Sequence, residues 1–310
     1  MKLLITGATG LVGRAIVEIS NKHGIAVNYL TTRRDKIISN ENFQGFYWNP
    51  SRNEIDLACF DGVTAIINLA GASISERWTA DYKNEILYSR ITSLKTLNYA
   101  LGKIDTKGIT SFVSASAIGI YPSSQDHLYT EEDQGVDDSF LGEVVQKWEK
   151  EIDALSHFGF SVAKVRIGLV LSKDGGALPK IAKPIKSYIG TVFGNGKQWQ
   201  SWVHINDLAK LFLFVVENEL EGVYNGVAPN PITHKKMVHE LAKVFNVPLL
   251  LPHIPQLTMK LVLGEMSYLL YASQRVSSKK IAEEGFVFDY PNIGNALEFF
   301  YNGELKHSMG

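Results

Sequence analysis

The stretch Thr6-Gly7-Ala8-Thr9-Gly10-Leu11-Val12-Gly13 decides the fold of this chain. It follows a short apolar run at residues 2–5 and opens a helical pattern at residues 14–23. Such a turn predicts dinucleotide binding, because glycines let the backbone approach a pyrophosphate and a helix N-terminus offers free N–H groups. The alternative is a tight strand-to-helix turn that holds no ligand. The residues assigned to the cofactor are Gly7, Thr9, Gly10, Leu11, Val12 and Gly13.

Outward from this turn, short β-branched runs alternate with longer helical patterns. This alternation predicts an α/β fold, a Rossmann-type doubly wound parallel sheet with a smaller substrate region and a C-terminal helical segment. We expect strands at residues 2–5, 26–30, 65–69, 111–115 and 162–167. We expect helices at residues 14–23, 83–101 and 142–156.

The chain divides by composition. We expect a cofactor domain over residues 1–247, which includes a Gly/Pro-punctuated substrate region at residues 172–204. A small, Leu-rich helical domain should follow over residues 248–300, and a frayed tail over residues 301–310. Lys260 and Glu265 interrupt the apolar segment 257–271, which is also too short to span a bilayer. It is therefore predicted to be a core or interface helix.

Charge and cysteine content narrow the function classes. Lys plus Arg number 31 and Asp plus Glu number 32, so no strong field attracts nucleic acid or an anionic membrane. A single cysteine, Cys59, forms no intramolecular disulfide and no cysteine metal centre. The apolar run near the N-terminus is too short for a signal-peptide core. We expect a cytoplasmic protein with a small-molecule ligand and no metal, and leave the oligomeric state open.

The end of the second strand indicates which cofactor binds. It reads Thr31-Thr32-Arg33-Arg34, with no acidic residue before Asp35. An acid here suits the ribose 2′-hydroxyl of NAD, whereas a guanidinium and hydroxyls suit the 2′-phosphate of NADP. We therefore predict NADP(H), bound by Thr31, Thr32 and Arg33 with help from Arg34. The alternative is a pair of solvated surface arginines.

Further motifs extend the pattern along the chain. They are NLAG at 68–71, SASAIGIY at 114–121, VRIGLVL at 165–171, SWVHINDLA at 201–209 and GVYNGVAPNP at 222–231. Together with the glycine turn they resemble an atypical extended short-chain dehydrogenase/reductase. More narrowly, the chain is similar to the "epimerase family protein" group among NAD-dependent epimerase/dehydratases. Residues 264–292 resemble the small C-terminal domain of unknown function that defines this group.

The resemblance implies NADP(H) contacts on the glycine turn and after the second strand. It also implies contacts near Ala70 and Gly71, and near Gly168 to Val170. The family often has an acidic residue just after the NLAG turn, where this chain has Ala72.

The usual catalytic pair of the superfamily, Tyr and Lys four residues apart on one helix, is absent. Aligning Glu149 with the glutamate that follows the pair puts Leu141 and Val145 at its two positions. The proton would then pass through Ser116, Tyr121 or Glu143. For Glu143 the alternative is a solvated ion pair with Lys147, and for Tyr121 a structural role in its loop.

One Tyr-to-Lys spacing of four does occur, at Tyr99 and Lys103, but it precedes the Ser114 strand. We interpret it as an ordinary exposed pair on a helix.

Four side chains are candidates for substrate contact, because aromatic walls with a few orienting hydrogen bonds are typical of small-molecule sites. They are Trp78, Trp199, Trp202 and His204. For His204 the alternative is a packed histidine with one hydrogen bond.

Two functions remain open from the sequence. The first is an NADP(H)-dependent oxidoreductase or epimerase that acts on a small polar metabolite, such as a sugar, through an altered proton relay. The second is a non-catalytic NADP(H)-binding regulator, since fold does not settle chemistry.

Overall fold

The computed structural model describes residues 1–305, and the side chains up to Tyr301. Its strands are β1 Lys2–Thr6, β2 Ala26–Thr31, β3 Ser39–Asn40, β4 Phe43–Asn49, β5 Glu54–Ile55, β6 Ala65–Asn68, β7 Ser111–Ala117, β8 Leu128–Tyr129, β9 Ser161–Ile167, β10 Leu169–Ser172, β11 Gly175–Gly176, β12 Trp199–Gln200, β13 Trp202–His204, β14 Gly222–Gly226, β15 Ile232–Thr233 and β16 Arg275–Val276. Its α-helices are α1 Leu11–Lys22, α2 Ala80–Leu101, α3 Phe140–Asp153, α4 Leu178–Lys186, α5 Ile205–Glu217, α6 His234–Phe245, α7 Gln256–Leu263, α8 Tyr268–Tyr271, α9 Lys279–Glu283 and α10 Ile293–Leu305.

The main sheet runs in the order β14-β9-β7-β6-β1-β2-β4-β3, with β5 beside β4. Strand β1 pairs in parallel with both β2 and β6, and β6 pairs in parallel with β7. The chain therefore builds outward from β1 first on one side and then on the other. This reversal is the switch point at which α/β sheets bind ligands.

The predicted fold class is confirmed. Each predicted strand and helix of the first 167 residues is present, with its ends shifted by three residues or fewer. The reason is visible in the burial of β1, where Leu3, Leu4 and Ile5 are all fully buried. Strands covered on both faces are continuously apolar, which makes them readable in a sequence.

Strand β4 was not among the predicted strands. Its sequence, FQGFYWN, mixes aromatic residues with Gln44 and Gly45, and glycine ordinarily weakens a strand. The structure explains this glycine, because an added Cβ at Gly45 would lie 2.6 Å from the hydroxyl and Cζ of Tyr29. Tyr29 in turn stacks on Phe43 and donates its hydroxyl to Lys36 O.

The described chain forms two compact units. Unit 1 comprises Met1–Ile120, Asp138–Arg166 and Leu208–Tyr224, and it contains β1 to β7 with α1, α2 and α3. Unit 2 comprises Tyr121–Asp137, Ile167–Asp207 and Asn225–Gly310, and it contains three small sheets with α4 and α6 to α10. The division predicted from composition, at residues 172–204 and 247, stays a prediction.

The expectation of a core helix over residues 257–271 is wrong. Gly264, at φ +60°, separates α7 from α8. Helix α7 buries none of its residues, and Leu257 and Leu261 are 70% and 82% exposed. The interface alternative stays a prediction. No helix among residues 1–305 is long and apolar enough to cross a membrane.

The C-terminal region also departs from a purely helical pattern, because β16 lies between α8 and α9 and pairs with β8. Helix α10 continues to Leu305, and the last five residues of the predicted tail lie outside the described residues.

Within unit 2, His234 begins α6 and is only 2% exposed. Its ring stacks on Phe193 at 5.1 Å, and its Nδ1 lies 3.3 Å from Gln200 Nε2. Burial lowers the pKa of His234 from 6.5 to about 4, because the loss of hydration disfavours the charged form of the ring.

This burial predicts an acid-sensitive stability. The unfolded chain takes up this proton before the folded chain does, so the stability present above the ordinary pKa is lost as the pH falls toward about 4. Between about pH 7 and about pH 5, urea unfolding should show a loss near 2 kcal/mol that the His234→Gln variant lacks. His239→Gln removes an exposed histidine of the same helix and should keep the parent's dependence. An unchanged slope in His234→Gln would contradict the assignment.

Candidate functional site

The glycine turn leaves the N-terminus of α1 open. Gly10 precedes the helix in an extended conformation, no side chain caps it, and the first turn carries no acidic residue. The first N–H groups of a helix have no partner within it, and they carry the positive end of its dipole. The turn therefore presents Leu11 and Val12 N–H groups that can hold an anion.

The three glycines of the turn have different reasons to be glycine. Gly7 has φ +71°, and a Cβ there would lie 2.9 Å from Leu69 O. A Cβ at Gly13 would overlap Gly7 O and Ala8, so both glycines are required by packing. Gly10 has an ordinary φ, and its Cβ would meet only Gly7 O, at 3.2 Å. The missing side chain at Gly10 is thus explained best by space kept for a ligand.

One hydroxyl joins the two turns at the switch point. Thr6 Oγ1 donates to Asn68 Oδ1 at 2.7 Å and accepts from the N–H groups of Leu69 and Ala70 at 3.0 and 3.1 Å. Asn68 Nδ2 then donates to Ser114 Oγ at 2.9 Å. This buried chain crosses β1, β6 and β7 and holds the NLAG turn against the glycine turn.

A cavity of about 570 Å³ opens beside these turns, wholly within unit 1. Six residues predicted to bind the cofactor line it: Gly7, Thr9, Thr31, Thr32, Ala70 and Gly71. The structure thus brings together positions from the ends of three strands, as a dinucleotide site requires.

Several other lining residues were missed from the sequence. Trp48 to Ser51 belong to the end of β4 and to the turn after it. They were missed because the periodicity of the sequence did not reveal this strand. Glu85 and Ser89 lie one turn apart on α2, and Ser89 Oγ accepts from Ala72 N at 2.9 Å. The aromatic run of β4 could have indicated the first group from the sequence. No such signal exists for Glu85 and Ser89, because the position of a polar residue on a helix does not show which cavity it faces.

Arg90 is the most informative residue missed. Its guanidinium stacks on Trp148 at 5.0 Å, donates to Ile86 O at 2.7 Å, and lies against Gly71, where an added Cβ would be 3.0 Å from Arg90 Cζ. Burial lowers the pKa of Arg90 to about 10. Among the described residues no carboxylate pairs with it. A partly buried cation without a counter-ion among the described residues, beside the NLAG turn, suits an anionic ligand.

Arg33, the predicted partner of a 2′-phosphate, lies on the surface and does not line the cavity. Its guanidinium forms two contacts with Asp35, Nη2 to Oδ2 at 2.6 Å and Nε to Oδ1 at 3.2 Å. The same hydrogen bond holds the pKa of Asp35 below its ordinary value. Arg34 lies over the ring of Tyr47 at 3.7 Å. Arg33 must exchange Asp35 for a phosphate to serve in binding.

Among the three proposed proton-transfer groups, Ser116 has the most distinctive surroundings. It is buried and donates to Glu149 Oε1 at 2.6 Å, while Arg166 donates to both oxygens of Glu149 at 2.8 and 2.9 Å. Burial alone would raise the pKa of Glu149, but the hydrogen bonds and charge of Arg166 outweigh it and lower the pKa. Ser116 therefore faces an ionised, fixed carboxylate.

The other two groups have simpler surroundings. Tyr121 is fully buried, stacks on Tyr129 and donates its hydroxyl to Asn225 Oδ1 at 2.8 Å, which favours a structural role. Glu143 is exposed and paired with Lys147 at 2.5 Å, which favours the solvated ion pair. The exposed Tyr99, in the last turn of α2, contacts the exposed Lys103, which lies just after the helix.

The predicted substrate residues fall in both units. Trp78, in unit 1, donates to Ile74 O and packs edge-on against Phe140. In unit 2, Trp199 is partly exposed, whereas Trp202 and His204 are fully buried. His204 lies between Tyr290 at 3.8 Å and Phe300 at 4.5 Å, so its geometry favours the packed alternative.

Gly168 also has a structural explanation. A Cβ there would overlap Ser201 O, since β10 and β13 approach closely at this point. The described residues contain no cluster of three or more His, Cys, Asp or Glu side chains placed to hold a metal.

Comparison with known proteins agrees with the geometry. A family model described as "NAD dependent epimerase/dehydratase family" matches residues 3–226. The chain belongs to this family. A second model, "Domain of unknown function (DUF1731)", matches residues 254–300. The resemblance read from the sequence motifs is confirmed.

Individual relatives match over nearly the whole chain. "Epimerase family protein SAR0825" of Staphylococcus aureus is 37% identical over 299 residues, which cover 95% of this chain and 97% of that protein. The solved structure of human epimerase family protein SDR39U1 with NADPH is 25% identical, with a TM-score of 0.85, and covers 97% of this chain and 99% of that one. A nucleoside-diphosphate sugar epimerase from Corynebacterium glutamicum is 27% identical, with a TM-score of 0.77 over all of this chain and 61% of that one.

The Thr6 hydroxyl should be essential for this arrangement. Thr6→Val keeps the shape but leaves Asn68 Oδ1 and the Ala70 N–H group without their partner, while Leu69 N–H keeps its bond to Thr6 O at 3.2 Å. Since each unmet buried group costs about 1–3 kcal/mol, the variant should unfold with a free energy reduced by roughly 3 kcal/mol. Thr6→Ser keeps the hydroxyl and serves as the control in the same denaturant titration. Equal losses in both variants would show that the methyl group, not the hydrogen bonds, matters.

Proposed function

We propose that this chain is an NADP(H)-dependent oxidoreductase or epimerase-like enzyme for a small polar, sugar-like metabolite, with an atypical proton relay. The observation that carries the proposal is the cavity in unit 1, which opens at the ends of β1, β2 and β6, with the uncapped N-terminus of α1 beginning two residues after Thr9 of its lining. A dinucleotide has the length and the charge to use all three ends.

Several residues of this chain suit the cofactor. The N–H groups of the glycine turn would hold the pyrophosphate. Arg90, whose guanidinium lies against Gly71 of the NLAG turn, would add a positive charge that attracts the anionic cofactor. Glu85 lines the same cavity as Ala72, so its carboxylate can accept a ribose hydroxyl where the family's usual acid is missing. Thr31, Thr32 and Arg33 would hold the 2′-phosphate that distinguishes NADP from NAD.

The choice of NADP(H) has a second support, since human SDR39U1, of the same family, was solved with NADPH. A sugar-like substrate is supported by the likeness to the C. glutamicum nucleoside-diphosphate sugar epimerase. Trp78 and Trp199, both partly exposed, remain the candidates for substrate contact.

The chemistry proposed is hydride transfer coupled to proton transfer. When bound, the nicotinamide supplies the hydride acceptor or donor. Among Ser116, Tyr121 and Glu143, we choose Ser116 because it is hydrogen-bonded to the buried carboxylate of Glu149 and can pass a proton along that bond. Leu141 and Val145 cannot take part, so the usual Tyr-Lys route is closed.

The alternative function is a non-catalytic NADP(H)-binding regulator. A specific observation favours it: Arg166 holds Glu149 with two hydrogen bonds, which makes this carboxylate a weak base. The cofactor proposal is common to both functions.

Cofactor preference tests the role of Arg33. The parent should prefer NADPH to NADH, and Arg33→Ala should lower NADPH affinity by at least about ten-fold, because a charge-assisted bond to phosphate is lost. Asp35→Asn should instead raise NADPH affinity by about two- to five-fold at low salt, since it removes the competing ion pair. Calorimetric titration measures both affinities. Lys36→Ala removes a neighbouring exposed charge as the control, and equal affinity of the parent for both cofactors would refute the assignment.

Turnover tests the enzyme against the regulator. A panel of nucleoside-diphosphate sugars is incubated with the NADP⁺-loaded protein, while cofactor absorbance and sugar proton NMR follow reduction and epimerisation. If a substrate reacts, Ser116→Ala should lower turnover by about 100- to 10,000-fold with unchanged NADPH affinity. Glu143→Gln and Tyr121→Phe should stay close to the parent. Parental turnover in Ser116→Ala would rule out this relay, and absence of turnover on every sugar would favour the regulator.

A further inference from the structure

Unit 2 contains a second cavity, of about 540 Å³, which none of the proposed cofactor residues lines. Its lining comes from the loop before β15, the first two turns of α6, strand β16 and the start of α10: Pro229, Asn230, Pro231, Ile232, Lys236, Glu240, Arg275, Asn292, Ile293 and Gly294. Its volume falls within the range of small-molecule sites. All of these residues belong to one compact unit.

Arg275 is the first indication of what this cavity binds. Its guanidinium lies over the ring of Trp199, with Cζ 4.7 Å from the ring centroid. Its Nε is buried and has no hydrogen-bond partner among residues 1–305. The cation–π contact with Trp199 holds the guanidinium in place, and a guanidinium can bind two oxygens of one oxyanion. A buried donor without a partner calls for a ligand or ordered water.

Besides Arg275, the lining contains one cation, Lys236, and one carboxylate, Glu240. Lys236 projects from the first turn of α6 and has no ion pair within the described chain. Glu240, one turn later, has its carboxylate 3.0 Å from Lys243 Nζ, so its charge is already balanced. Because Lys243 balances Glu240, the two cations of the lining, Lys236 and Arg275, remain without an ion-pair partner among the described residues.

The start of α10 adds to this positive potential. The helix has 13 residues and no acidic side chain in its first turn. Asn292, just before it, accepts a hydrogen bond from Asn230 Nδ2 at 2.9 Å. Ile293 and Gly294 line the cavity, and a Cβ added at Gly294 would meet nothing within 4 Å. The first N–H groups of α10 are thus accessible from the cavity.

We propose that this cavity is a second ligand site, which binds the phosphate group of a small phosphorylated metabolite. Arg275 and Lys236 bind the phosphate oxygens from one side and the N-terminus of α10 from the other. Pro229, Pro231 and Ile293 form an apolar wall for the carbon skeleton of the ligand. The site is separate from the proposed cofactor site and does not depend on it.

The test follows backbone amide NMR signals of the full chain during titration with inorganic phosphate, in the presence of saturating NADPH. The Gly294 and Lys236 amides should shift and saturate. Arg275→Gln and Lys236→Gln should each weaken this binding by about ten-fold or more, whereas Lys22→Gln, an equal charge change on α1, should not. Absent or non-saturating shifts at Gly294, or parental affinity in both variants, would overturn the proposal. Failure of NADPH to bind would affect only the cofactor assignment.

A second variant separates binding from folding. Gly294→Glu places a carboxylate in the first turn of α10, which favours the helix but repels phosphate. We expect an unchanged or higher thermal midpoint together with loss of the phosphate-induced shifts. Parental phosphate affinity in this variant would contradict the site.

The class of ligand is tested with glycerol 3-phosphate as the probe. If the apolar wall contacts the carbon skeleton, it should bind more tightly than inorganic phosphate, with additional shifts at Ile293. Equal affinities would overturn the assignment to a phosphorylated metabolite and indicate a site for free phosphate alone.

Discussion

The hydroxyl of Thr6 is the contact on which the proposed cofactor site depends. It lies at the end of β1, donates to Asn68 and accepts from the two N–H groups that begin the NLAG turn. A methyl group could fill the same space, but it could not fix the direction of these peptide groups. Because the glycine turn starts at the next residue, one side chain sets the positions of both turns that face the cavity.

The residues around the Thr6 contact have their identities for two different reasons. Packing alone fixes Gly7 and Gly13, since side chains there would collide with neighbouring backbone. Packing does not explain Gly10 or Arg90. The fold would accept a small side chain at position 10, and a neutral residue at position 90 would give a more stable fold. An open turn and a partly buried cation without a counter-ion among the described residues both cost stability, and a bound anionic ligand would offset that cost.

Much of this could be read from the sequence, for identifiable reasons. The central strands of unit 1 are buried and are followed by small residues, so apolar runs and glycines predicted their positions and the placing of Gly7, Thr9 and Ala70 at the cavity. Strand β4 escaped notice because its glycine accommodates Tyr29, a contact between residues distant along the chain. Arg90 and Glu149 escaped for a related reason: nothing in a sequence shows which arginine is buried or which carboxylate it meets.

Residue type predicted function less well for side chains that occur both in protein cores and in ligand sites. Trp202 and His204 stand two residues apart in a motif that contains several polar groups, yet both are enclosed by aromatic or backbone neighbours. Arg33 was predicted from its position after β2, and its ion pair with Asp35 adds a competition that spacing does not reveal. The sequence-derived roles of these residues remain predictions.

The central claim is that the open glycine turn in unit 1 binds NADP(H), and calorimetric titration of NADPH into the parent and Gly10→Val tests it most directly. The valine would occupy the space that the pyrophosphate needs, while circular dichroism reports whether the variant is folded. Gly108→Val is the matched control, because a Cβ at Gly108 has no neighbour within 4 Å. The account predicts binding by the parent and the control, and none by folded Gly10→Val. Parental NADPH affinity in Gly10→Val would contradict it.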